Sequence, residues 1–178
     1  MSQFGEVSSN QVLIRSTSRS ADDFRRGATA PTEVTIGTTP TIGAALFDAT
    51  NELASVYVPF PDDLDVTADV ILRLDFSLSS VQLNGDTCDF TCDYTAPTLA
   101  TAEGVAKAST QVTGQFTAVT GRLAIGGIYE MDITFPFADA TNPLANALGL
   151  AMEIHMTNVT GVADIILFGG ELRYEAIY

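Results

Sequence analysis

The side chains able to do chemistry are few and scattered. His155 is the single histidine, and Cys88 and Cys92 are the only thiols. A nucleophilic triad needs its histidine beside a nucleophile and an acid. Here His155 is expected on the face opposite Ile154 and Met156, with neither partner nearby in sequence. One imidazole and two thiols also fall short of the full tetrahedral ligand set of a structural zinc. Cys88 and Cys92 alternate with Asp89, Thr91 and Asp93 and share a face with Phe90 and Tyr94, so they read as small core residues. In a strand that spacing is about 13 Å, while a disulfide needs Cα atoms within about 7 Å, so the two are not expected to pair. Carboxylates gather twice. Asp62, Asp63, Asp65 and Asp69 crowd one loop. Calcium takes about six to eight oxygen ligands, but the spacing lacks the EF-hand pattern, so a solvated turn is expected. Asp86, Asp89 and Asp93 fit solvent-facing positions that discourage edge-to-edge pairing. No GxSxG, P-loop or GxGxxG motif occurs. The expectation is a protein that is not an enzyme and holds no cofactor and no metal.

The remaining chemistry is electrostatic. Arg15, Arg19, Arg25 and Arg26 are four of the eight cations, and all precede residue 27. Against Glu6, Asp22 and Asp23 they leave residues 1–26 at +1, while residues 27–178 stand at −15. An acidic body repels phosphate, so nucleic acid is not an expected partner. No apolar run reaches transmembrane length, so neither is a membrane. The start of the chain has neither the basic nor the apolar stretch of a signal peptide, which predicts cytoplasmic synthesis with reduced thiols. Hydrophobic residues make up 46% of the chain and charged residues 17%. That balance is apolar for a monomer and favours an oligomer interface.

The elements that must carry these groups are strands. Residues 1–40 are rich in Ser, Thr, Gly and Ala, with only short apolar pieces such as Val12-Leu13-Ile14. They are expected to form an extended arm, with Val12 and Ile14 able to add a strand to a partner. From residue 41 the period is two. Val70, Leu72, Leu74, Phe76 and Leu78 share one face, and Tyr129, Met131, Ile133, Phe135 and Phe137 share another. Asn84-Gly85 marks a turn, and Pro136 puts that end of its strand at an edge or bulge. Asn142-Pro143 is expected to start a short helix through Ala147. About eight strands with at most one helix predict an all-β fold, a jelly-roll-like antiparallel β-sandwich over residues 41–178 with the extended N-terminal arm before it.

Three stretches carry a family resemblance. They are Val56 to Asp65 leading into Ala68 to Phe76, Tyr129 to Pro136, and Ala163 to Tyr174. Over about residues 44–178 the chain resembles the jelly-roll virion proteins of tailed bacteriophages, in particular capsid decoration (cement) proteins. The resemblance implies a structural role on the outer capsid surface of the virion, with the major capsid protein and further copies in a homotrimer as partners. The family defines no functional residue by motif. For the arm, the capsid-binding residues expected are Arg15, Arg19, Arg25, Arg26, Val12 and Ile14, because arginine–carboxylate forks could fasten it to an acidic shell. The alternative is a carbohydrate- or receptor-binding module of a phage tail or fibre. The scarcity of aromatics, 8% with no Trp, counts against it.

Overall fold

A computed structural model describes residues 13–20, 25–26, 30–36, 42–49, 52–98, 108–119, 127–160 and 164–177. Among them lie eleven strands: β1 (Leu13–Ser20), β2 (Arg25–Arg26), β3 (Thr32–Ile36), β4 (Ile42–Phe47), β5 (Leu53–Pro59), β6 (Val70–Leu78), β7 (Thr87–Thr95), β8 (Thr110–Thr117), β9 (Tyr129–Phe135), β10 (Gly149–Thr160) and β11 (Ile165–Ala176). They build two antiparallel sheets. Sheet A runs β3-β4-β11-β6-β9 with β1 also on β11, and sheet B runs β2-β5-β10-β7-β8. The chain is an all-β, jelly-roll-like sandwich.

Alternation makes the core. Val70, Leu72, Leu74, Phe76 and Leu78 of β6 face inward with Tyr129, Met131, Ile133 and Phe135 of β9. From sheet B, Cys88, Phe90, Cys92 and Tyr94 meet them. Edge-to-face ring pairs join the sheets at Phe47–Phe90 (5.2 Å), Phe76–Phe116 (5.1 Å) and Tyr94–Phe135 (4.9 Å). Both cysteines are free and buried, and burial pushes the Cys88 thiol up to about 12 and the Cys92 thiol higher still. Edge strands β8 and β9 close one side of the sandwich. A Cβ on Gly114 would lie 2.7 Å from the Asp132 carbonyl oxygen, so only glycine permits that approach.

Two expectations change. Eight strands, β4 to β11, match the sequence count, but residues 13–36 add three more. β1 lies along β11 from Leu13↔Ala176 to Ser20↔Gly169. β4 covers only Ile165–Leu167 on that same edge of β11. The sandwich therefore takes a strand from the segment read as arm, and the physical reason is the length of β11. Twelve residues of edge would otherwise stand open for eight of their positions. Gly169-Gly170 lies within β11, where the register with β6 shifts between Leu167 and Gly169, which is a bulge. No helix occurs among the described residues. The stretch from Asn142 to Ala147 is a set of turns, because the Asn142 side chain points into the protein and makes its own hydrogen bonds there.

Candidate functional site

The residues singled out by the sequence are not gathered in one place. Ile14, Arg15 and Arg19 lie on β1, their backbones opposite Glu175, Tyr174 and Gly170. Arg25 and Arg26 lie on β2, opposite Ser55 and Ala54 in the other sheet. Val12 falls outside the described residues. Arg15 is already engaged: its Nη1 sits 2.5 Å from Asp63 Oδ2.

The acidic loop has structural work for three of its carboxylates. Asp63 takes Arg15 and the Tyr174 hydroxyl, which donates at 3.3 Å. Asp65 accepts the Thr67 N–H at 2.9 Å and its hydroxyl at 2.6 Å, which holds its carboxyl below the usual range. Asp69 accepts the Phe137 N–H at 3.0 Å. Among the described residues no group of three or more His, Cys, Asp or Glu side chains is placed to hold a metal.

The outer face of sheet A carries a charge network. Arg73 forks onto Asp132 (Nε–Oδ1 2.7 Å, Nη2–Oδ2 3.0 Å) and reaches Glu130 at 2.9 Å. The fork holds Asp132 low. Asp75 is opposite Glu130 in the ladder. Burial first, then Glu130 and Glu171, push its carboxyl above the usual range. The sign follows. A raised carboxylate costs the folded state stability above its folded pKa, and that cost vanishes as pH falls below the unfolded value. Asp75→Asn is expected to raise the melting temperature at pH 7 by about 1–2 °C, a small gain because solvent screens the site. The gain should disappear near pH 3. A gain that persists there would assign it to packing instead of charge.

The outer face of sheet B holds a cleft of about 950 Å³. Antiparallel register builds it. Ser55 of β5 is opposite Glu153 of β10, which is opposite Asp93 of β7, which is opposite Gln111 of β8. One step along, Tyr57, Ala151 and Thr95 form the next row. Ser55, Ala151 and Thr95 keep the floor low, and Ser109 lies at the rim. Tyr57 is 49% exposed, and its hydroxyl donates to the Leu148 carbonyl at 3.2 Å, which fixes the ring at the side of the cleft. Asp93 accepts Gln111 Nε2 at 3.2 Å, and His155 Nδ1 approaches its other oxygen at 3.9 Å, too far for a hydrogen bond. That nitrogen is buried with no hydrogen-bond partner. The cleft thus juxtaposes a held aromatic ring, two carboxylates on adjacent strands, an amide and hydroxyls. Such a set can stack on an apolar ring face and accept hydrogen bonds from hydroxyls.

Sequence inspection missed this surface. Tyr57 was the available signal: a large aromatic on the polar face of an alternating strand, between Ser55 and Pro59.

No family model and no curated protein matches the chain. Solved structures do. The CBM36-1 domain of a multidomain xylanase from the hindgut metagenome of Trinervitermes trinervoides is 10% identical with a TM-score of 0.46, over 89% of this chain and 96% of that one. The CBM22-1–GH10 modules of Clostridium thermocellum endo-1,4-beta-D-xylanase 10B, in complex with xylohexaose, are 11% identical with a TM-score of 0.50, over 94% of this chain and 29% of that one. The Agl-KA catalytic domain is 14% identical with a TM-score of 0.40, over 94% and 28%. This chain spans under a third of the length of the last two. Identities this low speak to the fold alone.

Proposed function

We propose that this chain is a non-catalytic attachment module that holds a saccharide in the sheet B cleft. The observation that carries the reading is the pairing of a fixed, half-exposed Tyr57 ring with the Glu153 and Asp93 carboxylates across a floor of small side chains. Sugar recognition needs those two things together, an aromatic plane for the C–H face and charged acceptors for hydroxyls. The cleft is open along the sheet face and has the volume of a small-ligand site, about 300–1,000 Å³. Two carboxylates side by side repel uronic and sialic acids, so the ligand class is a neutral or amino saccharide.

A second reading is a capsid decoration (cement) protein, bound to the major capsid protein on the outer virion surface as a homotrimer. What favours it is β1. A polar N-terminal strand, rich in Ser and Arg, is held on a sheet edge by its main-chain ladder and the Arg15–Asp63 ion pair. Strand addition of this kind is a general way to stitch one chain to another. Deleting residues 1–40 would strip β1, β2 and β3 from the sheets, so Arg15→Glu is the cleaner probe.

One comparison separates the two. Wild type, Tyr57→Ala and Arg15→Glu are tested on an array of neutral and amino oligosaccharides and by co-sedimentation with undecorated capsids. The cleft reading expects glycan binding that Tyr57→Ala weakens about tenfold and Arg15→Glu leaves alone. The capsid reading expects capsid binding that Arg15→Glu abolishes. An array with no bound glycan, or a Tyr57→Ala protein that binds as wild type does, sinks the first reading.

A further inference from the structure

The two outer faces of the sandwich treat their carboxylates differently. On sheet A, Glu130, Asp132 and Glu171 each meet a guanidinium, from Arg73 or Arg173. On sheet B, Glu153 of β10 and Asp93 of β7 stand directly opposite each other. Like charges so placed destabilise a ladder. Asp93 accepts the neutral Gln111 amide at 3.2 Å, and Glu153 has no hydrogen bond or ion pair among the described residues. His155, one row along, leaves its Nδ1 buried without a hydrogen-bond partner, 3.9 Å from Asp93 Oδ2. Asp89, further along the same face of β7, adds a third carboxylate and takes the Gln115 amide at 2.7 Å. At the other end of the cleft row Arg25 lies opposite Ser55. Along Arg25, Ser55, Glu153, Asp93 and Gln111, two carboxylates thus stand against one arginine.

We propose, resting on the saccharide reading above, that the cleft takes an oligosaccharide bearing free primary amines, with one ammonium seated between the Glu153 and Asp93 carboxylates and the Tyr57 ring. An ammonium turns the repulsion of the facing pair into attraction on both sides. Its three donors suit carboxylate oxygens that the fold leaves open. Tyr57 is one row along, and its bond to the Leu148 carbonyl holds the ring in place. The face of such a ring attracts a cation. Ser55 and Ala151 between them are small, so a bound amine can reach ring and carboxylates together. A bare divalent ion fits less well. It wants about six or more oxygen ligands, and among the described residues no third His, Cys, Asp or Glu joins the pair in a metal-ready group. An N-acetyl group at the same position has no charge and a single donor, so the cleft discriminates against it.

Calorimetric titration of the full chain tests this at low salt and about pH 6, where such amines are protonated. The probes are a β-1,4-linked glucosamine hexamer, its fully N-acetylated form, a β-1,4-linked glucose hexamer and hexalysine. The expected result is that the glucosamine hexamer binds about tenfold tighter than the other two sugars, and that added salt narrows the gap. Glu153→Gln and Asp93→Asn are each expected to cut the preference to about twofold. Asp62→Asn removes a carboxylate from the exposed acidic loop instead and should leave the preference intact. Thermal melts establish that each variant is folded. Three sugars bound equally well overturn the ammonium site and leave the saccharide reading standing, whereas no sugar bound at all overturns both. Folded Glu153→Gln and Asp93→Asn proteins that keep the preference also overturn the site. An equal loss in Asp62→Asn does so too, because it assigns the preference to the acidity of the whole chain. Hexalysine bound as tightly as the glucosamine hexamer, and weakened equally by Glu153→Gln, makes the occupant a basic protein segment and overturns the proposal.

Discussion

Gly149→Ala is expected to cost about 3 kcal/mol or more of folding stability, read as a drop in the denaturant midpoint with the slope unchanged. Gly149 opens β10 opposite Pro59 of β5. A Cβ there would collide with the Val58 carbonyl oxygen, and would lie 2.9 Å from Pro59 Cα and 2.9 Å from the Tyr57 hydroxyl. Two of those three atoms are backbone at the first rung of the β10–β5 ladder, so the strands must part there or the register must slip. Slippage by one residue would turn Leu150, Met152 and Ile154 outward. Gly85→Ala is the matched control. Nothing lies within 4 Å of a Cβ at Gly85, and only its positive φ opposes the change. That should cost about 1 kcal/mol. Equal losses at the two positions would refute the steric account of Gly149. The same collision reaches the proposed ligand cleft, because Tyr57 is displaced with its hydroxyl, so any saccharide binding by residual folded protein should fall too.

The strands most legible in sequence are those with one face buried and one wet. Val70 to Leu78 and Tyr129 to Phe135 show it, their inward residues all buried. The pattern fails two residues after β9. Phe137 continues the apolar alternation but is 41% exposed, because the ladder stops at Phe135 and Pro136 cannot extend it. It fails wholly at β1, whose Leu-Ile-Arg-Ser-Thr-Ser-Arg-Ser has no usable period. Such a strand is held by main-chain bonds to an open edge, and the edge belongs to β11, more than a hundred residues later. The cleft was illegible for a related reason. Glu153 and Asp93 are distant in sequence, and only the β10–β7 register sets them face to face. Periodicity tells which side of a strand a residue takes, but not which residue it will oppose.

Asn142 carries the second large effect, and it sits where sequence pattern pointed to a helix start. It is fully buried. Its Oδ1 accepts the Ala96 N–H at 3.2 Å, and its Nδ2 has the Ala108 carbonyl at 2.9 Å and the Thr110 hydroxyl oxygen at 3.0 Å within reach. Its own N–H donates to Asp139 Oδ1 at 2.6 Å, which also accepts the Thr110 hydroxyl at 2.8 Å. One amide thus joins the end of β7, the start of β8 and the β9–β10 connection. Asn142→Ala removes the side-chain bonds to the Ala96 N–H, the Ala108 carbonyl and the Thr110 hydroxyl at a fully buried position and opens a small cavity, so a loss of about 3 kcal/mol is expected. Asn142→Asp keeps the shape but replaces donors by a buried charge, and should be worse than Ala at pH 7. The pH sign separates them. A carboxyl buried there has its pKa raised, so the Asp variant's penalty is largest above that pKa and shrinks as pH falls toward 4, while the Ala penalty stays level. Urea melts of both variants across that range should show the two curves converging or crossing. If the Asp variant is the more stable at pH 7, the amide is not donating into this network, and Asn142 is not the joint that holds these connections.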